Sequence, residues 1–143
     1  MSAMGLTAIA HSTSGSLRQD VVVDGRFHLA TDEPERLGGS NSAPSPHELL
    51  PAALASCVST TLLMYARTKG WELGDLQVEV DYDQSSAPRT CSIIIHTGRA
   101  VTPEQAARLE KVAATCPVRR ALEGGVVFSE HIEQAVSELR AAS

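Results

Sequence analysis

Three cysteines, at positions 57, 91 and 116, carry the chemistry in this chain that goes beyond packing and solvation. An odd number at wide spacing fits neither a secreted disulfide framework nor the close Cys-x-x-Cys pairs of zinc sites, so reduced thiols are expected. Cys57 falls beside Leu54, Ala55, Ser56 and Val58. Read alone, it is a core cysteine, because apolar surroundings raise a thiol's pKa and leave it inert. Cys116 stands between Thr115 and Pro117. With proline at the first helical position, Cys116 caps a helix, where unpaired amides and the helix dipole favour a thiolate. Arg119 and Arg120 follow within one turn and add positive potential if they do not point to solvent. Cys91 lies in an alternating segment and reads as a packed strand residue.

Other chemistries find less support. The five histidines (11, 28, 47, 96 and 131) show no His-x-x-x-His spacing and no accompanying acidic cluster, so neither a metal nor another cofactor is expected. Gly38-Gly39 and Gly124-Gly125 read as turn or helix-end pairs rather than phosphate loops, and no Gly-x-Ser-x-Gly elbow marks a serine hydrolase. A formal charge of −5, from 12 Lys and Arg against 17 Asp and Glu, disfavours a nucleic-acid partner. The N-terminal residues lack a basic segment followed by a long apolar run, so no secretory signal is read and a cytoplasmic location is expected. The apolar stretch 49–66 is interrupted by Pro51, Ser56, Ser59, Thr60 and Thr61, which predicts a buried helix rather than a membrane span.

The elements that must position these thiols follow from pattern. Over 143 residues, 43% hydrophobic and 20% charged, one domain spanning 1–143 is expected. Residues 4–11 and 19–29 predict a β-meander, with Asp24-Gly25 as a two-residue hairpin turn. Residues 31–45, dense in Gly, Pro, Ser and Asn, predict a long irregular loop of the kind that often serves function. Ser45-Pro46-His47-Glu48 then announces a helix: a serine cap, proline at the first position and a glutamate closing the capping box. It should run to about residue 68, stop at Lys69-Gly70, kink at Pro51 and be central, since it is apolar nearly all round. Its small residues (Ala52, Ala53, Ala55, Ser56, Ser59 and Thr60) predict close approach of a second helix. Residues 72–82 and 90–97 alternate with period two and predict a second antiparallel pair. Thr102-Pro103-Glu104-Gln105 starts a helix to about residue 114, and a short helix follows Cys116-Pro117. A strand at 126–128 and a terminal amphipathic helix at 131–142 complete an α+β two-layer reading.

With these residues placed, residues 43–57, Ala-Pro-Ser-Pro-His-Glu-Leu-Leu-Pro-Ala-Ala-Leu-Ala-Ser-Cys, resemble the first cysteine helix of the OsmC/Ohr family. Residues 115–122, Thr-Cys-Pro-Val-Arg-Arg-Ala-Leu, resemble its second, and residues 32–39 and 64–71 fit OsmC-like members. The resemblance implies an OsmC-like fold, antiparallel sheets around long central helices, in an intertwined homodimer. It implies a thiol-dependent peroxidase acting on small hydroperoxides: Cys57 attacks, Cys116 resolves, and a dithiol reductant restores the pair. In the Ohr branch an arginine from the N-terminal strands supports the attacking cysteine and is steered by a glutamate directly after the helix-start proline. Arg18 is the best positional match for the arginine, with Arg26 nearby, whereas the glutamate's place is held by His47, one residue before Glu48. On an ideal helix His47 lies within about 80° of Cys57 and Glu48 about 180° away, which makes Glu48 a capping residue first and a catalytic one second. The alternative reading is a redox-sensing or ligand-binding dimer without turnover.

Overall fold

The computed structural model describes residues 5–135. Val21, Val22 and Val23 favour a pleated strand, and the N-terminal residues form the expected antiparallel meander of β1 (Ala8–Ser12), β2 (Gln19–Val23) and β3 (Phe27–Thr31). Asp24 and Gly25 both adopt positive φ at the β2–β3 turn. Val23 pairs with Phe27, so the turn closes over three residues, Arg26 included, rather than two.

The loop from residue 32 to residue 45 is organised from within by Asp32, which is 1% exposed. Its carboxylate accepts from the amides of Glu33 (2.8 Å), Ser40 (3.3 Å) and Ser42 (3.1 Å) and from the Ser42 hydroxyl (2.7 Å). Gly39 passes so close to the loop's start that a Cβ there would lie 1.9 Å from the Glu33 carbonyl oxygen. No larger residue fits that approach.

Helix α1 (Leu49–Lys69) follows a 3-10 turn, Pro46–Glu48. The predicted capping box is present: Ser45 Oγ accepts from the Glu48 amide (3.4 Å) and Glu48 Oε1 from the Ser45 amide (3.0 Å). The change from 3-10 to α geometry comes at Leu49, two residues before Pro51. Pro51 falls in the first α turn, where its missing N–H has no intrahelical acceptor to lose. Gly70, at φ 68°, ends the helix as expected.

Beyond α1 come β4 (Leu76–Asp83) and β5 (Thr90–Thr97), paired antiparallel with Leu76 opposite Thr97. The strand starts at Leu76 rather than residue 72, because Leu73 turns into the core and Gly74 takes a positive φ. Helix α2 (Pro103–Ala113) begins at the Thr102–Gln105 capping box, and α3 (Pro117–Gly124) begins at Cys116 and ends before Gly125. Residues 126–128 form no strand, and Val126, Val127 and Phe128 are exposed. Residues 131–135 of the predicted terminal helix are not helical; the rest of that prediction, like Met4 of the first strand, lies outside the described residues.

The core is built by a helical i, i+4 stripe, Leu54, Val58, Leu62 and Ala66 of α1, packed against Leu73, Leu109, Val112, Ala113 and Cys116. Valines and isoleucines of β4 and β5 close it from the sheet side. No residue of the meander joins it. Helix α1 is therefore central in sequence pattern but half covered: Leu63 and Met64 are exposed, as are Ala52, Ala53, Ser56 and Thr60. Among the described residues one helical stretch, Pro46–Lys69, is long and apolar enough to cross a membrane, and 22% of its apolar window is buried. Its serines and threonines interrupt that apolar run less than the sequence reading supposed.

Candidate functional site

Cys57 projects from the middle of α1, half-buried and packed against the core. Cys116, fully buried, ends the chain's passage out of α2 and caps α3, its carbonyl accepting the first helical bond from the Arg120 amide at 3.0 Å. Packing of α1 against α2 and α3 sets Cys57 against the core cluster that holds Cys116, and the two thiols are near enough to influence each other's titration. Both are free thiols in this structure. The sequence reading of Cys57 as an inert core residue thus gives way to a partly accessible thiol with a second sulfur beside it.

The helix-end argument for a Cys116 thiolate is overturned. Burial pushes the Cys116 thiol above its ordinary value, and the Cys57 thiol pushes the same way, outweighing the pull of the Arg119 and Val118 amides. A capping position lowers a thiol's pKa where the sulfur also sees water or a cation. Cys116 instead faces the core, and Arg119 is engaged by Glu123 one turn on. Cys116 therefore holds its proton.

The remaining residues singled out from sequence are spread around this pair. His47 and Glu48 line a cleft of about 440 Å³ between the loop and β4, together with Glu33, Arg36, Asp81 and Tyr82. Glu48 is occupied by the capping box, whose Ser45 amide and hydroxyl hold its carboxyl below the usual range. Arg18 precedes β2, on the meander, and its guanidinium binds Ser42. Arg26 sits at the hairpin turn, paired with Asp24 at 3.2 Å and stacked over the Phe27 ring. Arg18 lines a cleft on the meander with His11, Asp20, Val22, His28, Leu29 and Ala30, away from α1.

Sequence reasoning missed three features. Cys91 is exposed rather than packed, and it lines an apolar pocket with Leu50, Pro51, Leu54, Tyr82 and Leu122. Leu54 lies one helical turn before Cys57, which does not itself line the pocket. Arg36 shares the cleft of His47 and Glu48. Asp32 is the third; an acidic residue opening a Gly- and Ser-rich loop was the available signal for a buried carboxylate gathering amides. Among the described residues no cluster of His, Cys, Asp and Glu is arranged to hold a metal.

The family model described as "OsmC-like protein" matches residues 39–131. Among solved structures, a Psychrobacter arcticus protein described as an osmotic stress induced and detoxification response protein is 26% identical. It matches over 85% of this chain and 90% of its own, with a TM-score of 0.69. A Vibrio cholerae protein described as an organic hydroperoxide resistance protein, with captopril in one active site, is 25% identical over 87% and 89%, at a TM-score of 0.61. A Legionella pneumophila protein described as an organic hydroperoxide resistance protein shares the fold at 22% identity over 87% and 93%, with a TM-score of 0.63. No curated protein matches the sequence.

Proposed function

This chain belongs to the OsmC-like protein family, and from that premise we propose that it is a cysteine-based peroxidase reducing organic hydroperoxides, and hydrogen peroxide more slowly. The packing of the free Cys57 thiol against the core cluster that holds the free Cys116 thiol carries the reading. The family's hydroperoxide resistance members support a peroxide-related redox role, and Cys57, half-buried where Cys116 is fully buried, is the more accessible sulfur of the pair.

In the proposed reaction the Cys57 thiolate attacks the terminal peroxide oxygen. The O–O bond breaks, and the departing alkoxide takes a proton to leave as an alcohol, or as water from hydrogen peroxide. Cys57 becomes a sulfenic acid. The Cys116 sulfur, already adjacent, then attacks the Cys57 sulfur, releasing water and forming a disulfide. A dithiol reductant takes the oxidising equivalents and returns both thiols. Cys116, kept protonated by burial, stays in reserve as the resolving thiol. Arg18 is the cation assigned to the thiolate, while His47 and Glu48 form the entrance on the loop side.

The working unit is a homodimer. A half-bare α1 and a meander outside the core both fit a second copy wrapping the first. The location is cytoplasmic, where such thiols stay reduced. Consumption of cumene hydroperoxide and hydrogen peroxide with dithiothreitol tests the activity. Cys57→Ser should lose at least about a thousandfold while remaining folded, and Cys116→Ser should accumulate a trappable Cys57 sulfenic acid. A folded dimer with free thiols and no turnover of either peroxide would instead leave the redox-sensing or ligand-binding alternative.

A further inference from the structure

We infer that Asp32 and Ser42 are the positioning residues of Arg18: the buried carboxylate fixes the Ser42 hydroxyl, and that hydroxyl fixes the guanidinium without neutralising it. The inference rests on the proposed role of Arg18 beside a Cys57 thiolate.

Each hydrogen bond in this relay has one possible direction. A guanidinium has no acceptor and an ionised carboxylate has no donor. Arg18 Nη1 therefore donates to Ser42 Oγ at 2.7 Å, and the single hydroxyl proton goes on to Asp32 Oδ2, also at 2.7 Å. Arg18 Nη1 also reaches the Ser42 carbonyl at 3.3 Å, and the Ser42 amide donates to the same Asp32 oxygen at 3.1 Å. Ser42 is thus gripped by main chain and side chain together, and the guanidinium grips Ser42 at two points.

The contrast with other arginines gives the arrangement its meaning. Arg26 and Arg119 touch carboxylates directly, Asp24 and Glu123. Among the described residues no carboxylate lies within ion-pair distance of Arg18. A direct ion pair would spend most of the guanidinium's field on its partner; a neutral hydroxyl fixes the geometry and leaves the positive charge for a thiolate. The need for a substitute is also visible. His47 stands where the resemblance puts a steering glutamate, and Glu48 is committed to the helix cap. The loop supplies from below what the helix does not supply from the side.

The relay holds over the whole range in which a thiol titrates. The Ser42 hydroxyl and amide, with the Glu33 and Ser40 amides, outweigh burial and lower the Asp32 carboxyl to about 2. The other titratable groups around Arg18 are His11, Asp20 and His28, which line the same cleft. They are present in every variant compared below.

The test is the pH profile of Cys57 alkylation by iodoacetamide in the reduced full-length protein, read on the Cys57 peptide by mass spectrometry. Ser42→Ala should lower the rate at neutral pH by about threefold to tenfold and move the profile to higher pH, the response to displacing a nearby cation. Ser42→Thr, which keeps the hydroxyl, should restore the native profile. Arg18→Ala should lose at least as much, and Ser42→Ala should add nothing in the Arg18→Ala background. An unchanged profile in Ser42→Ala, or losses that multiply with Arg18→Ala, would overturn the relay. Asp32→Asn should give a partial loss, but the Ser42 pair decides the matter even if that variant does not fold. Peroxide turnover in the native protein against Cys57→Ser judges the peroxidase reading separately. A protein without turnover can still show the coupling, and an active one can lack it.

Discussion

Two regions of this molecule solve the problem of burial in opposite ways. The layer formed by α1, α2, α3, β4 and β5 closes on itself: four side chains of one α1 stripe, the inward faces of α2 and the two-stranded sheet exclude water from Leu62, Val58 and Cys116. The meander of β1, β2 and β3 pairs its strands correctly yet leaves both faces largely open, with Ile9, Phe27 and Leu29 exposed. A three-stranded sheet that packs on nothing gains backbone hydrogen bonds but little hydrophobic stabilisation. The difference divides the proposed chemistry as well. The sulfur pair belongs to the self-sufficient layer, so its geometry is set within one chain. The cation belongs to the layer that needs an outside surface, so its approach to a sulfur depends on what covers the meander.

The largest effect that would break this comparison is in the closed layer. Leu62→Ala removes a fully buried side chain from the centre of the α1 stripe and should cost about 2–5 kcal/mol. Chemical denaturation followed by far-UV circular dichroism measures it. A loss below about 1 kcal/mol would mean that the site collapses without a cavity, contrary to the packing described.

Leu29→Ala sharpens the other side. Leu29 is 41% exposed in one chain. A free meander would lose at most about 0.5 kcal/mol on truncation there. If a second copy covers it, the loss should be about 1–2 kcal/mol, and the unfolding midpoint should rise with protein concentration. A small, concentration-independent effect would count against the dimer and against any route by which Arg18 reaches a thiolate across it.

Sequence pattern exposed the local rules well and the tertiary ones unevenly. Both capping boxes, the Gly70 stop and the β4–β5 pair were legible because caps, helix ends and period-two alternation depend on neighbours in the chain. The strand at 126–128 and the helical reading of residues 131–135 failed, although their apolar side chains suit those states. Val127 and Phe128 stay largely exposed among the described residues. The family resemblance, not spacing, nominated Cys57 as attacker. Local logic preferred Cys116, because a cap position is visible in sequence while full burial of the sulfur is not. Arg18 was legible as a candidate, but its hold on Ser42 spans 24 residues and passes through a loop whose fold no periodicity describes.

The smallest of the three effects lies where the two regions join. Asp32 sits at the end of β3 and the start of the loop that leads to α1, and its carboxyl falls from 3.8 to about 2 on folding. A folded value below the unfolded one means that the group's contribution is complete above 3.8 and is lost as pH falls through about 2. The native protein should therefore lose stability between about pH 4 and 2 more steeply than Asp32→Asn, which has no carboxyl to protonate. Urea midpoints measured down this range make the comparison, with the two curves drawing together toward the acid end. Parallel curves would show that the loop is held by its amides and glycines alone. A native curve that steepens alone would show that the charge of Asp32 itself ties the open meander to the closed layer.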